Sequence, residues 1–599
     1  MGYNEQVQKL KQWSVLSFLL LIFFAASWSL LITSKFFRVH DFTHAGRISE
    51  MAQALQDGHF PVRWTENFGY GYGMPLFEFY GPLPFYIGAV VFILFGNVIW
   101  SIKFLYLLSN LGTLLGGYFL GKKLFGRVGG LLLSAFLTLA PYRAMNLFAR
   151  GALNEVWGIM FLPWILLGLL QIFHQQKSGW KTFFFSLVGL FLSHNITTMI
   201  FLPILIIFAL GYGGLMFWQQ APEFFRKGRF RARNVLRIIW QMFTTGVLAI
   251  TASSFYLVPA FLEKSFTQVE KIILTPYFDY HLHFLYIRQF FTPNWGYGGS
   301  GWGTEDGISF FLGWGQLLAV FSLLALWLYH FFRKIMKKDV EKVLSNKVFY
   351  LTFLFGSIFL LSSLMSLLKT QFIWDQISLF KFIQFPWRWM SISILFLSIL
   401  LASRVWLFTN IVTRSWTAGI CIVITVFSSA IYFQPEKYLD DANDFYYTDK
   451  MNIRKNLSQI LPDYISTDMK ENPTIIPDSL ILNQDLLADE SVEIIADRVH
   501  EKLIRTSFTE TTNLEFSVAT YPGWRAEIDN QWWNKNKGEN GNIMIEIPSG
   551  DHLVSLRFES TPVRYWSDLT SFFSWIIFIS FSFPTVSKKI LKKKKFKNL

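Results

Sequence analysis

Ionisable residues crowd the stretch that follows the first hydrophobic segment of this chain. They are His40, Asp41, His44, Arg47 and Glu50. A carboxylate beside histidines and an arginine can act as a general base or can hold a hydroxyl acceptor. We therefore predict Asp41 and His44 as catalytic residues and Arg47 as a substrate-binding residue. The alternative is structural, because Asp41 could cap a helix that begins just after it.

Glycine, proline and aromatic residues crowd the rest of the same segment, which reads GYGYGMPLFEFYGPLPFY over residues 69–86. Glycines allow close backbone approach and prolines fix turns. The aromatic rings can line a groove for a sugar or a lipid. We predict that Glu78 and Tyr80 bind substrate. The alternatives are an aromatic belt at the membrane interface and an ordinary exposed glutamate.

A second polar stretch contains Arg150, Asn154 and Glu155. Glu155 would face the same outer surface as Asp41. Two acids on two loops over one cavity suit acid–base chemistry or a divalent cation such as Mg or Mn, with Asp41 and Glu155 as its ligands. Arg150 is predicted to bind substrate. The structural alternative is that Glu155 stabilises the start of a helix.

Two further sites place polar residues beside apolar runs. His194 and Asn195 lie between two such runs, where they either bind substrate or simply form a turn. Arg388, in the sequence FPWRW, stands at the start of a span. An arginine there can hold a lipid phosphate or pyrophosphate. Its alternative role is to extend towards water from the membrane edge.

The elements that must position these residues are membrane helices. The 599-residue chain is 52% hydrophobic and only 16% charged, and its mean hydropathy is +0.35. Its net charge of +14 comes from short basic clusters beside apolar runs, the pattern of cytoplasmic loops rather than of nucleic-acid binding. One cysteine, Cys421, excludes a disulfide framework. The motifs of ATPases, zinc proteases and α/β hydrolases are missing from the sequence.

Apolar runs and charge clusters predict about 12 spans, with both termini in the cytoplasm. Residues 35–101 would be the first external loop. We interpret 82–99 as a helix at the outer surface, because a crossing there would place the basic residues 122–127 outside. The predicted spans are 13–33, 102–121, 128–147, 156–173, 183–192, 196–218, 238–262, 308–332, 348–367, 389–408, 416–433 and 572–583.

Residues 434–566 differ in character from the spans. Short alternating segments, such as SVEIIADRV, LEFSVATY, NIMIEIP and HLVSLRF, are separated by the turn sequences PGW, KGENGN and PSGD. This pattern predicts an external β-sandwich-like domain. The predicted organisation is therefore a transmembrane domain (1–433), an extracytoplasmic β domain (434–566), and a last span with a basic, lipid-contacting tail (567–599).

Taken together, these motifs resemble a known family. An aspartate just after the first span, a surface helix in place of a second crossing, and the basic KKLFGR resemble the type-C (GT-C) membrane glycosyltransferases. HDFTHAGRI, FPVRW, RGALNE, LSHNITT and QFPWRW resemble bacterial 6-pyruvoyl-tetrahydropterin synthase-related membrane proteins and the YfhO-like family. YPGWRAEIDN and IPSGDHLVSLRFESTPVR resemble the YfhO-type external domain. No histidine triad supports the pterin-synthase part of that label.

The resemblance implies transfer of a sugar from a polyprenyl-phosphate donor to an acceptor outside the bacterial plasma membrane. It assigns the base or acceptor anchor to Asp41, the second acid to Glu155, where better-known relatives carry aspartate, and the phosphate contact to Arg388. A cell-wall glycopolymer such as teichoic or lipoteichoic acid is the implied acceptor. Two alternatives stay open: a transporter or flippase for a lipid-linked saccharide, and a non-enzymatic envelope scaffold.

Overall fold

We analysed a computed structural model of the chain. It describes residues 3–227, 229–273, 276–335, 346–408, 410–459, 464–469, 473, 476–483 and 492–582. The basic tail at residues 588–599, for which lipid contact is predicted, lies outside the described residues.

Within the described residues, nine helices are long and apolar enough to cross a membrane. The predicted class of polytopic helical membrane protein is therefore confirmed, whereas the count of 12 is not. The predicted spans at 183–192 and 572–583 fall on helices that are not among the nine. The nine are Gln12–Leu31, Val98–Thr138, Leu153–Phe173, Asn195–Trp218, Arg233–Ala252, Trp314–Arg333, Lys347–Leu364, Pro386–Leu407 and Ile411–Tyr432.

The longest of these helices is a hairpin rather than one rod. Gly126 within Val98–Thr138 has φ +78° and ψ −176°, which is not helical. On either side of it, Gly117 approaches Ser134 and Gly121 approaches Gly130, so the chain reverses at Gly126. Only glycine takes this φ without strain. The turn accounts for the two spans predicted at 102–121 and 128–147.

The chain forms two compact units. The first unit comprises 1–42, 103–247 and 276–439 and is helical. Its helices are apolar on most of their faces, unlike the amphipathic helices of a soluble protein, and their side chains form the core. The helices lying wholly or mainly in it are α1 (Tyr3–Leu31), α5 (Val98–Thr138), α6 (Pro141–Ala144), α7 (Leu153–Phe173), α8 (Gly179–Phe191), α9 (Asn195–Lys227), α10 (Arg229–Ala252), α13 (Trp314–Ile335), α14 (Asn346–Met365), α15 (Gln371–Gln376), α16 (Met390–Ala402) and α17 (Ile411–Ser429).

The second unit comprises 43–102, 248–275 and 440–599 and contains every strand of the described chain. Two antiparallel sheets have the orders β1-β2-β8-β4-β5 and β3-β7-β6. The strands are β1 (Val492–Arg498), β2 (Glu501–Phe508), β3 (Thr512–Ala519), β4 (Trp524–Ile528), β5 (Gln531–Trp533), β6 (Asn536–Lys537), β7 (Asn542–Ile547) and β8 (Gly550–Phe558). The helices are α2 (His44–Gln56), α3 (Leu76–Phe79), α4 (Leu83–Phe95), α11 (Ser254–Leu262), α12 (Val269–Ile273), α18 (Asp444–Thr448), α19 (Lys450–Asn452) and α20 (Pro562–Ser582).

The β domain predicted from alternation is present. In β2, Ile504, Thr506 and Phe508 are buried, whereas Arg505 and Ser507 are exposed, as a half-buried strand requires. The turn sequences PGW, KGENGN and PSGD each lie between consecutive strands. The strands begin only at residue 492, and the described residues between 440 and 459 form short helices instead, because regular alternation is missing there.

Most of the predicted first external loop folds against this β domain. Trp64 packs edge-on against Trp524, with ring centroids 5.6 Å apart. Arg454 Nε donates to Asn67 Oδ1 over 2.9 Å, and Lys502 forms an ion pair with Glu66. A helix, α4, lies within the predicted range 82–99 and ends at Gly96 with φ +69°. Its location at the outer membrane surface stays a prediction.

Candidate functional site

Two arginines of the helical unit share one buried carboxylate. Glu155 is 2% exposed, and its Oε2 lies 2.6 Å from Arg150 Nη1 and 3.6 Å from Arg388 Nε. Glu155 lies in the first turn of α7, and Arg388 immediately precedes α16. Two guanidinium groups against one carboxylate leave a net positive charge, which suits an anionic ligand.

The turn before α7 supplies neutral partners for this cluster. Met145–Arg150 forms a π-helix, and Gly151 ends it with φ +69°. Tyr142 OH donates to Glu155 Oε1 over 2.6 Å, and Asn146 Oδ1 accepts from Arg150 Nη1. Burial and the Glu155 carboxylate raise the pKa of Tyr142 well above its ordinary value, so the phenol keeps its proton and remains a donor.

Asp41 lies beside this turn. Its backbone N–H donates to the Arg150 carbonyl over 2.8 Å, and the N–H of His40 donates to the Ala149 carbonyl over 3.1 Å. The Asp41 side chain is half-buried. Across the described residues, no donor hydrogen-bonds to its carboxylate. Asp41 therefore presents a carboxylate that a substrate hydroxyl can reach.

The charge of Asp41 acts on both arginines. Burial lowers the pKa of Arg150, but the ion pair with Glu155 and the charge of Asp41 oppose this effect, and the pKa of Arg150 lies above its ordinary value. Asp41 also interacts electrostatically with Arg388. Arg150 thus remains a cation beside the free carboxylate.

The guanidinium groups of Arg150 and Arg388 are each held in place by only some of their N–H donors. Arg388 Nη1 donates to the Ile383 carbonyl over 2.7 Å and to Gln384 Oε1 over 3.0 Å. The Arg150 guanidinium lies over the Trp387 ring, 4.6 Å from its centroid. Within the described chain, the Nη2 atoms of both arginines make no hydrogen bond. These donors are available to a phosphate oxygen.

His194 closes the turn between α8 and α9 next to this cluster. Its Nδ1 lies 2.7 Å from Thr197 Oγ1 and accepts from the Thr197 N–H over 3.2 Å. Asn154 Nδ2 donates to the Ser193 carbonyl over 2.7 Å, which joins this turn to α7. Burial lowers the pKa of His194 to about 3, with Glu155 opposing the shift, so the imidazole is neutral. Asn195 is exposed at the start of α9.

An aromatic and glycine-rich loop, residues 276–313, contributes to the same unit. His283 Nδ1 lies 2.8 Å from Ser300 Oγ, which accepts from Trp387 Nε1 over 3.2 Å. His40 Nε2 lies 2.9 Å from the Tyr297 carbonyl. Burial raises the pKa of Tyr277, which also interacts electrostatically with Arg150 and Asp41.

The other predicted site residues lie in the second unit. His44 is buried, with its ring 6.1 Å from that of Tyr80. The Arg47 guanidinium lies over the Tyr80 ring at 4.3 Å, and its buried Nε and Nη1 have no hydrogen-bond partner among the residues that the structure describes. Of the ten predicted residues, the structure therefore brings Asp41, Arg150, Glu155, His194 and Arg388 together. It places His44, Arg47, Glu78 and Tyr80 in the other unit.

Glu78 belongs to a buried ionic network. It is 1% exposed, its Oε2 lies 3.0 Å from Arg564 Nε, and its Oε1 accepts from Tyr521 OH over 3.2 Å. Glu263 Oε2 lies 2.7 Å from Arg564 Nη2. Burial raises the pKa of Glu78 to about 8, and a hydrogen bond to Glu263 adds to the shift while Arg564 opposes it. This network joins α3, the end of α11 and the start of α20.

Several structural alternatives from the sequence can now be decided. Asp41 is not the capping residue of α2, because α2 begins at His44 with Thr43 as its N-cap. Arg388 is 9% exposed and hydrogen-bonded, so it does not extend into water. His194 does form a turn, and Glu155 does lie at a helix start, so both have a structural role whatever their chemistry.

A divalent cation does not fit Glu155. Its two oxygens already bind Tyr142 and Arg150, and a second guanidinium stands behind them. No group of three or more metal-ligating side chains occurs among the described residues. These contacts do not favour the predicted Mg or Mn site at Glu155, and we assign no chemistry to a metal.

Sequence reasoning missed Tyr142, Asn146 and Trp387. A signal for the first two was present, since Tyr142, Asn146 and Arg150 recur every four residues, which places them on one face of a helical turn. Trp387 lies within the FPWRW motif, but its contact with Arg150 joins segments far apart in the chain. Local sequence patterns do not reveal contacts between residues that are far apart in the chain.

The site lies partly within a segment that resembles a known family. Residues 80–222, which include Tyr142, Arg150, Glu155 and His194, match the family model described as dolichyl-phosphate-mannose-protein mannosyltransferase. An uncharacterized protein of Lactococcus lactis subsp. cremoris (strain MG1363) is 25% identical over 277 residues, which are 43% of this chain and 41% of that protein.

Two solved structures are similar at 12% identity. The oligosaccharyltransferase of Archaeoglobus fulgidus in the apo form gives a TM-score of 0.40 over 78% of this chain and 61% of that one. The arabinofuranosyltransferase AftD from Mycobacteria gives 0.43 over 92% and 40%. The chain thus spans less than two thirds of the length of each of these proteins.

Proposed function

We propose that this protein is a membrane glycosyltransferase of the GT-C type, which moves a sugar from a polyprenyl-phosphate donor to an extracytoplasmic acceptor. The observation that carries the proposal is a free, half-buried carboxylate, Asp41, beside two arginines with unused N–H groups, Arg150 and Arg388. Base and anion site are the two parts that this reaction needs. The match of residues 80–222 to a mannosyltransferase family supports it.

Asp41 acts as the general base or acceptor anchor. Its carboxylate takes the proton of an acceptor hydroxyl, and the hydroxyl oxygen attacks the anomeric carbon of the donor sugar. A bond forms between that oxygen and the anomeric carbon while the bond from the anomeric carbon to the phosphate oxygen breaks. This single displacement inverts the configuration of the sugar.

Arg388 and Arg150 stabilise the leaving group. The phosphate oxygen keeps the electron pair of the broken bond, and negative charge grows on it in the transition state. The free Nη2 donors of the two arginines can bind that charge. Glu155 and Asn146 position the Arg150 guanidinium, and Tyr142 positions Glu155. The negative charge of Glu155 favours the cationic form of the arginines. The neutral His194 borders the cluster and adds no charge.

Further parts of the proposal concern the surroundings of the reaction. The donor lipid enters from the outer leaflet of a bacterial plasma membrane, and both chain termini are cytoplasmic. The acceptor is a cell-envelope glycopolymer such as teichoic or lipoteichoic acid, guided by the β domain at residues 434–566. Relationship to the YfhO-like and 6-pyruvoyl-tetrahydropterin synthase-related proteins is part of this proposal.

The test is a transfer assay with the purified full-length protein in lipid vesicles, using labelled polyprenyl-phosphate sugars and envelope glycopolymer. Asp41→Asn should reduce transfer by roughly a hundredfold or more, as expected for loss of a general base. Asp375→Asn is the matched control, because Asp375 lies in the same unit and its carboxylate interacts with Tyr280 and His281 rather than with the arginines.

Three outcomes would contradict the proposal: full transfer by Asp41→Asn, equal losses in both variants, or no transfer by the native protein. Movement of the intact donor across sealed vesicles without formation of a glycosidic bond would assign the protein to transport instead.

A further inference from the structure

A cavity of about 330 Å³ lies in the second unit, on the segment that follows the last candidate span. Residues of α18, α19 and their flanks line it, within 441–456. The site proposed above does not use this segment. Its volume falls at the lower end of the range of small-molecule sites, which suits one or two sugar rings.

The lining combines an open aromatic ring with polar side chains. Phe445 is 71% exposed, although a large apolar side chain in a folded domain is usually covered. Tyr446 lies next to it and is half-buried. An exposed ring at the edge of a cavity offers a flat surface on which the apolar C–H face of a sugar can pack.

Two polar side chains of the lining, those of Asn443 and Asp449, are held in place by hydrogen bonds from backbone N–H groups. Asn443 Oδ1 accepts from the Tyr446 N–H over 3.0 Å, which leaves the Asn443 amide N–H groups. Asp449 Oδ2 accepts from the Asn452 N–H over 2.8 Å, which leaves Oδ1. Such fixed groups bind a ligand without a large loss of side-chain entropy.

Two charged side chains of the lining remain unpaired. In the part of the chain that the structure describes, neither Asp441 nor Lys455 forms an ion pair or a side-chain hydrogen bond. The cavity thus offers both acceptors and donors. A hydroxyl group both donates and accepts, whereas a phosphate only accepts and an ammonium group only donates. With two aspartates and one lysine, the lining also disfavours a phosphate.

From these observations we infer that the 441–456 cavity is a binding site for a neutral saccharide. Phe445 packs against the sugar ring, and Asp441, Asn443, Asp449 and Lys455 bind its hydroxyl groups. That this saccharide is part of the glycan acceptor rests on the proposed glycosyltransferase function. The binding itself does not depend on that function.

The test measures binding to the full-length protein in detergent, with no donor lipid present. The probes are the neutral oligosaccharides maltopentaose, mannopentaose and galactopentaose, with pentalysine and inorganic phosphate as comparisons. We expect at least one oligosaccharide to bind. Phe445→Ala and Asp441→Ala should each weaken that binding about tenfold, the effect of removing a central contact.

Trp532→Ala is the matched control, because Trp532 is an aromatic residue of the same unit that is 60% exposed and lies outside the cavity. It should bind as the native protein does. Binding of none of the oligosaccharides, or equal binding by Phe445→Ala and the native protein, would overturn the inference. So would a preference for pentalysine or phosphate that Asp441→Ala or Phe445→Ala alters.

An inactive Asp41→Asn protein separates the two proposals. It should bind the oligosaccharide as the native protein does. For the native protein, transfer without saccharide binding would reject the cavity alone, and saccharide binding without transfer would reject the enzymatic function alone.

Discussion

The backbone N–H of Asp41 hydrogen-bonds to the carbonyl oxygen of Arg150 over 2.8 Å. The residue after Arg150 is Gly151, with φ +69°, and a Cβ atom on it would lie 2.6 Å from Val39 Cγ2. The segment that carries the free carboxylate is therefore packed directly on the turn that carries one of the two cations. The distance between Asp41, the proposed base, and Arg150 depends on this backbone contact.

Replacing Gly151 by alanine should disturb this distance. An L-residue at this φ costs about 1 kcal/mol, and the new methyl group must displace Val39, which is two residues from Asp41. We expect the transfer rate to fall about tenfold or more, since small displacements of catalytic groups are costly. The measurement is kcat with a polyprenyl-phosphate sugar.

Gly96→Ala is the control for this change. Gly96 has the same φ of +69°, but no atom lies within 4 Å of the position of its added Cβ. It should lower stability slightly and leave kcat unchanged. Equal kcat values in the two variants would show that the contact between Gly151 and Val39 does not set the position of Asp41.

Removing the shared carboxylate should destabilise the helical unit. In Glu155→Gln, two buried guanidinium groups lose the carboxylate that they share. Breaking a buried ion pair on one side costs about 3 kcal/mol or more. Thermal unfolding in detergent should show a clearly lower midpoint. Glu436→Gln, which breaks the exposed pair with Arg38, should change stability by only roughly 0–1 kcal/mol.

Arg388 is expected to bind the donor phosphate. Arg388→Gln should weaken binding of a polyprenyl phosphate about tenfold, because one charge-assisted contact is lost. The measurement is a titration of the lipid phosphate followed by tryptophan fluorescence. Lys381→Gln removes a half-buried cation seven positions earlier and should not change the affinity. If both variants lose the same affinity for the lipid phosphate, Arg388 contributes only through its positive charge and not through a specific contact.

Glu78 should make the stability of the second unit depend on pH. Its pKa rises from 4.5 to about 8 on folding. Between these values the folded protein keeps a proton that the unfolded chain releases, so the free energy of unfolding contributed by Glu78 falls as pH rises through this window. Thermal midpoints of the native protein between pH 5 and pH 9 should therefore decline.

Glu78→Gln should flatten this decline. Glutamine is neutral at every pH and can still donate to Glu263, as the protonated glutamate does. Other titrating groups are common to both proteins, so the difference between their two curves reports Glu78. Parallel curves would mean that the Glu78 carboxyl has the same protonation in the folded and unfolded chains over this range.

Much of the architecture could be predicted from the sequence because it depends on local composition. Apolar runs predicted the positions of the membrane-spanning helices. Turn sequences predicted where one strand ends and the next begins, as with PGW between β3 and β4. The proximity of Asp41, Glu155 and Arg388 was also expected, since each stands at the end of an apolar run predicted to face one surface. Their chemical roles stay proposals.

The pairing of the remaining site residues could not be predicted from local patterns. His44 and Arg47 follow Asp41 closely in sequence, yet they are buried against Tyr80 in the second unit. Glu78 looked like a candidate for substrate binding because its partner Arg564 is nearly five hundred positions away. A charge without a local partner is easily mistaken for a ligand-binding group, because only the fold reveals its distant counter-ion.

The Glu78 network also has a consequence for synthesis in the cell. Tyr521, which donates to Glu78, is made 443 residues after it, and Arg564 is made later still. Until the ribosome has produced the start of α20, a newly inserted Glu78 has neither its donor nor its cation. The Glu78 network can therefore form only after α20 has been synthesised, and we expect a chain that stops before α20 to be more sensitive to proteolysis at Glu78.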